Sequence, residues 1–265
     1  MNSNEKHVSP QCNKLRATRF CMIRVPRRAW LVGLGVAVGI ILAGGGSAGA
    51  APQKPSCSSV TNGTNVFKRL DNQTYALCAV AKCFVFNQVA YCRCDIKRGD
   101  SLSLSLDFDT NQDVCTVNQE GVRNGYMVST FSVPDSVSPP NGDMAIYTCP
   151  SGSDGAYAQC DGGICFKSTR NQSFPGFDKP LAKNEIICSC PITEQTPTDP
   201  VGYQIAGPFL DGRCDPSFFD NCKRMTANKM TGSTLYVGAP TGTADLLALL
   251  LTGTVPVTNN CFPPP

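Results

Sequence analysis

Histidine and tryptophan are almost missing from this chain of 265 residues: each occurs once, as His7 and Trp30. Both stand in the first fifty residues, so everything after residue 50 lacks an imidazole. Ser-His-Asp and Cys-His activation of a nucleophile, and every histidine-ligated metal site, are thereby excluded from that part. No two cysteines stand three apart, which removes the Cys-x-x-Cys spacing of zinc ribbons and redox motifs. Glutamate is scarce after residue 50 (Glu120, Glu185 and Glu194), and no spacing singles out a carboxylate pair for hydrolysis. No Ser-x-x-Lys occurs there either. The apolar run from Trp30 to Ala43 has 14 residues and is glycine-rich, short of the ~20 that a membrane-spanning helix needs.

What the first fifty residues do contain reads as a cleaved export signal, 1–50. A basic front (Lys14, Arg16, Arg19, Arg24, Arg27, Arg28) precedes the apolar run, and Ala48-Gly-Ala50 fits the small-x-small cleavage pattern, so maturation is expected near Ala51. Arg27-Arg28-Ala-Trp-Leu31 resembles the twin-arginine export motif; general secretion is the other route. Both lead outside the cytoplasm, to a secreted, periplasmic or cell-surface location. The whole chain carries 23 Lys+Arg against 20 Asp+Glu, and residues 1–50 hold seven and one of these. The remainder has 16 against 19 and presents no phosphate-binding face, so nucleic acid is not an expected partner.

After residue 50 the dominant residue is cysteine. Fourteen remain: Cys57, Cys78, Cys83, Cys92, Cys94, Cys115, Cys149, Cys160, Cys165, Cys188, Cys190, Cys214, Cys222 and Cys261. An even number in an exported chain reads as a disulfide framework. The other use of the two Cys-x-Cys pairs is soft-metal binding through thiolates. The cysteines fall into two similar runs. Tyr75-Ala-Leu-Cys78, Cys83-Phe84 and Cys92-Arg-Cys94 are matched by Tyr157-Ala-Gln-Cys160, Cys165-Phe166 and Cys188-Ser-Cys190. Four residues separate the first two cysteines of each run and one separates the last two. The expectation is a module duplicated with a period near 100 residues: a first cysteine-rich unit over 51–135, a linker over 136–143 and a second unit over 144–265.

The local patterns are mainly β. Phe84-Val-Phe86 and Val89-Ala-Tyr91 flank Asn87-Gln88 as a hairpin, which would set Cys83 opposite Cys92. Cys92 and Cys94, two apart on a strand, share a face and should reach different partners. Ser101 to Phe108 alternates strictly, predicting a strand with Leu102, Leu104, Leu106 and Phe108 buried. Further strands are expected at Tyr126–Phe131, Met144–Thr148 and Glu185–Cys188. Residues 51–66 read as a loose leader tied down at Cys57, and 193–200 as a loop. The one helix predicted is the short C-terminal segment 243–251, capped by Thr243 and stopped by Gly253. The fold class is therefore mainly β, small and disulfide-rich, with two related hairpin-containing units and one short helix.

The order of the cysteines resembles the EGF-like module, whose six cysteines have four or five residues between the second and third and one between the fourth and fifth. Cys57, Cys78, Cys83, Cys92, Cys94 and Cys115 fit that order, as do Cys149, Cys160, Cys165, Cys188, Cys190 and Cys214. The gaps before the last cysteine, 20 and 23 residues, are longer than the family's. The resemblance implies the bonds Cys57–Cys83, Cys78–Cys92 and Cys94–Cys115, then Cys149–Cys165, Cys160–Cys188 and Cys190–Cys214, leaving Cys222 to pair with Cys261.

Two candidate sites stand out. Asp107, Asp109, Asn111 and Asp113 place oxygen ligands at alternate positions, as the opening of a calcium loop does, though Gln112 stands where the glycine should be. The polar stretch 167–184 reads as a surface loop whose Phe174 and Phe177 are candidate contact residues. The function expected is binding or surface interaction outside the cytoplasm, with a protein or glycan as partner, no cofactor unless calcium, and no membrane insertion of the mature chain. The alternatives are a carboxylate hydrolase acting on polysaccharide, and soft-metal binding.

Overall fold

The Asn87-Gln88 turn closes the hairpin with both residues in the left-handed region, φ 48° and 63°, the geometry of the two-residue turns that match strand twist. Phe86 then faces Val89, and Cys83 faces Cys92 and is bonded to it. This computed structural model describes residues 53–104, 113–167, 173–174, 176–196 and 198–264; the expected export signal 1–50 lies outside them.

The chain is mostly β. It begins with β1 (Ser56–Asn62) and β2 (Asn65–Leu77), an antiparallel pair where a loose leader was expected. The hairpin arms are β3 (Lys82–Phe86) and β4 (Val89–Leu104). Next come helix α1 (Val114–Asn124), β5 (Tyr126–Val128) and β6 (Met144–Cys149). The short β7 (Ala156–Ala158) and β8 (Ile164–Phe166) precede β9 (Glu185–Glu194), which runs two residues into the expected loop. They are followed by β10 (Tyr203–Leu210) and β11 (Arg213–Cys214), a 3-10 segment (Pro216–Lys223) and helix α2 (Met225–Lys229). β12 (Thr234–Tyr236), β13 (Gly238–Pro240), α3 (Thr243–Thr252) and β14 (Asn260–Cys261) complete the order.

These strands form two sheets. The larger runs β1-β2-β4-β9-β8-β5, with β3 and β12 attached at β4 and β7 at β9; the smaller runs β11-β10-β6-β14, with β13 on β10. The central antiparallel pair β4–β9 sets Cys92 opposite Cys188. Period-2 alternation then puts Cys92, Cys94, Cys188 and Cys190 on one buried face, each at most 1% exposed. Cys78 Sγ approaches Cys188 Sγ to 3.4 Å there, and Val85, Met127, Ile186 and Leu235 pack around the sulfurs.

All fourteen cysteines after residue 50 are paired, but not in the EGF-like order. The bonds are Cys57–Cys115, Cys78–Cys94 and Cys83–Cys92, then Cys149–Cys222, Cys160–Cys190, Cys165–Cys188 and Cys214–Cys261. The reason is the register. A hairpin that sets Cys83 against Cys92 bonds that pair directly and leaves Cys94 to reach Cys78 on β2's exit. Cys165 against Cys188 inside Cys160–Cys190 repeats the nesting. While these bonds are intact, the sulfurs of the two Cys-x-Cys pairs are spent on them; Cys78, Cys94 and Cys188, and Cys92, Cys160 and Cys190, still lie within metal-ligand reach of one another.

Residues 50–265 form one compact unit. The two cysteine-rich halves share the large sheet through β4–β9, β5–β8 and β3–β12. The expected linker 136–143 is part of this body: Val137 is buried and its carbonyl accepts the Asn259 amide.

The alternation at 101–104 also needs correcting. Leu102 is fully buried, but so are Ser101 and Ser103, whereas Leu104 is 36% exposed. Both faces of the strand are covered here; the Ser103 hydroxyl meets Asp161, whereas the buried Ser101 hydroxyl has no hydrogen-bond partner among the described residues. Leu106 and Phe108 lie outside the described residues. In α3 the cap position is Gly242, left-handed at φ 83°, and Thr243 is the first helical residue rather than the cap. The expected stop holds: Gly253, at φ 78°, donates its amide to the Leu249 carbonyl.

Candidate functional site

A groove of about 520 Å³ lies between the two sheets, bordered by α3. Phe67 of β2, Phe131, Ile146 of β6, Ile205 of β10, and Leu247 and Ala248 of α3 give it apolar walls, with Thr148, Gln204, Asp245 and Asn260 also in the lining. Leu247, Ala248 and Leu251 are the buried side of α3, and Leu247 and Leu251 pack with Phe67 and Leu102, so the helix that borders the groove is fixed to the large sheet. At 520 Å³ the volume falls within the ~300–1,000 Å³ typical of small-molecule sites.

One polar cluster of the lining is built on Asp161. Asp161 follows Cys160 in a tight turn held by the amides of Gly162 and Ser129, which bond the carbonyls of Ser129 and Gly163 respectively. The Asp161 carboxylate accepts the Ser103 hydroxyl at 2.9 Å and the Leu104 amide at 2.8 Å. The outward side of β4 is thus polar and buried because Asp161 lies over it. Desolvation pushes the Asp161 carboxyl up to about 6, and hydrogen bonds from Leu104, Ser103 and Gly162 offset only part of that. Beside it, Thr130 is buried and its hydroxyl has no hydrogen-bond partner among the described residues. Asp161 and Thr130 both line the groove.

The residues singled out from sequence lie elsewhere. Phe174 and Phe177 are half-buried. Gly176 between them, at φ 79°, lies so close on the Phe84 ring that a Cβ there would come within 1.9 Å of it. This part of the loop therefore folds onto the β3–β4 hairpin. Phe177 also lines a smaller, mixed-charge cleft of about 400 Å³ with Arg93, Asp95, Asp178 and Glu185. Of the calcium candidates, Asp107, Asp109 and Asn111 lie outside the described residues. Asp113 caps α1, accepting the Thr116 amide at 2.9 Å, and that bond, with Lys68 adding a smaller effect at 3.5 Å, lowers its pKa.

The glutamates do not converge. Glu185 holds Arg93 at 2.8 and 2.5 Å, which keeps the Glu185 carboxyl below its usual range. Glu194 pairs with Lys229, and Glu120 is on α1. Asp161 escaped the sequence reading because only the fold covers it: Ser103, Leu104 and Thr130 come to it from 58, 57 and 31 residues away. Its one local signal, Asp161-Gly-Gly after a cysteine, marks a turn. No protein-family model, no curated protein and no solved structure matches this chain.

Seven disulfides place the protein among the stabilised, extracellular-type proteins of oxidising environments. Among the described residues, no helix is long and apolar enough to cross a membrane.

Proposed function

We propose that this is an exported binding protein that takes a small, largely apolar ligand in the groove beside α3. The observation that carries the reading is a groove whose apolar walls carry a limited set of polar groups, Asp161 among them, the usual make-up of a site that buries a ligand's body and orients its head. The disulfide-bonded sheet supports it, because a prearranged cavity loses little freedom when it binds. The groove is preferred over the 167–184 loop because Gly176 packs that loop against Phe84. The duplication of the cysteine motif, and export by residues 1–50, belong to the same proposal.

The test uses Nile red, a neutral apolar dye whose emission shifts to the blue on leaving water. The wild-type protein is expected to bind it saturably at one site. Ala244→Trp, from a half-buried position on α3 that lines the groove, should fill the space and abolish binding while the melting temperature stays within a few degrees. Saturable binding that survives the tryptophan would locate the site elsewhere and refute the proposal.

A further inference from the structure

The groove has a sign as well as a shape. Its titratable lining residues are Asp161 and Asp245; no lysine, arginine or histidine stands among the described residues that line it. An apolar cavity of this kind has nothing to neutralise a carboxylate or phosphate head, and bringing one beside Asp161 would set two like charges together in a poorly solvated place. Asp161 also receives only neutral donors, the hydroxyl of Ser103 and the amides of Leu104 and Gly162. It stays short of a counter-charge, and burial raises its proton affinity for that reason. Thr130 lines the groove too, but its hydroxyl has almost no accessible surface, so the partner left for a ligand's head is the Asp161 carboxylate.

We infer that the groove selects amphiphiles with a cationic, hydrogen-bond-donating head, an alkyl or aryl ammonium, seating the head against the Asp161 carboxylate and the apolar body along α3. An ammonium supplies what Asp161 lacks, a positive charge. A neutral alcohol of the same length brings a donor without the charge, and a fatty acid brings a like charge. The inference rests on the groove being a ligand site and adds the chemical class of the ligand.

The experiment compares decylammonium, decanol and decanoate on the wild-type protein by titration calorimetry at about pH 8, where the Asp161 carboxyl is ionised. Decylammonium should bind about tenfold or more tighter than decanol, the usual gain of a charge-assisted hydrogen bond over a neutral one, and decanoate should bind weakest. Asp161→Asn keeps the shape and removes the charge, and should bring ammonium and alcohol within about threefold of each other. Decanoate binding as tightly as decylammonium, or an ammonium preference that outlives Asp161→Asn, overturns the inference. In either case, decanol binding that Ala244→Trp abolishes would leave the groove standing as a ligand site. Failure of all three compounds to bind would remove both readings. The wild-type series decides the ligand class without any variant.

Discussion

Replacing Asp161 with asparagine should make the protein more stable at neutral pH, by an amount that the structure sets. The folded state holds the Asp161 carboxyl at about 6 against an ordinary 3.8. Below pH 3.8 the folded and unfolded chains both carry the proton, and its contribution is fully present. Between there and pH 6 only the folded chain carries it, so each pH unit of rise favours unfolding by about 1.4 kcal/mol. The total lost by pH 7 is about 3 kcal/mol. Asparagine mimics the protonated acid. Its oxygen accepts the Leu104 amide, and its NH2 faces a Ser103 hydroxyl that can turn from donor to acceptor. The assay is thermal or urea unfolding of both proteins from pH 4 to pH 8. The curves should meet near pH 4 and separate to about 3 kcal/mol by pH 7, or about 6–12 °C in melting temperature for a body of this size. Asp113 and Glu185, whose carboxyls are held low, lose their contributions on the acid side in both proteins and cancel in the difference. A constant offset across the range, or a variant less stable at pH 7 than at pH 4 by as much as the wild type, would refute the burial of charge at Asp161.

Other outcomes follow from individual contacts. Gly176→Ala should lower stability by about 1–2 kcal/mol from its left-handed backbone alone, and by more where the new methyl displaces Phe84; an unchanged melting temperature would show that the loop does not rest on the hairpin. Asp113→Ala should cost about 1 kcal/mol through loss of the α1 cap, equally with and without chelator, whereas a loss seen only without chelator would assign Asp113 to calcium. Removing Cys149–Cys222, 73 residues apart, by paired alanines should cost about 4 kcal/mol in the chain-entropy account, and removing Cys83–Cys92, nine apart, about 2.5; urea midpoints in the reverse order would contradict that account.

The parts of this fold that could be read directly were those whose signal is local. Asn87-Gln88 between two β-branched and aromatic runs fixed the hairpin, and the hairpin fixed which cysteines face each other. The family order led to other pairs because it ranks cysteines by sequence position, whereas the bonds follow strand register. Helix α1 was missed for a specific reason. Its buried positions Val114, Cys115, Val117, Asn118 and Gly121 do follow helical spacing, but two of the five, Asn118 and Gly121, bring no apolar side chain. Asn118 is buried because it spends its amide on Gln73, Thr74 and the Val128 amide. Gly121 is buried because Tyr126 lies where a Cβ would stand. The groove was not legible at all. Phe67, Phe131, Ile146, Asp161, Ile205 and Ala244 span most of the chain and meet only once both sheets exist. Asp161 in particular has an ordinary sequence context and an unusual environment.

The disulfide pattern has a topological consequence. Three bonds close within residues 57–115 and four within 149–261, so no bond among these crosses the segment between them. The halves are joined by one stretch of backbone and by the ladder β4–β9, with β5–β8 and β3–β12 beside it. A single proteolytic cut within 138–142 would yield two oxidised chains that separate in denaturant without any reductant.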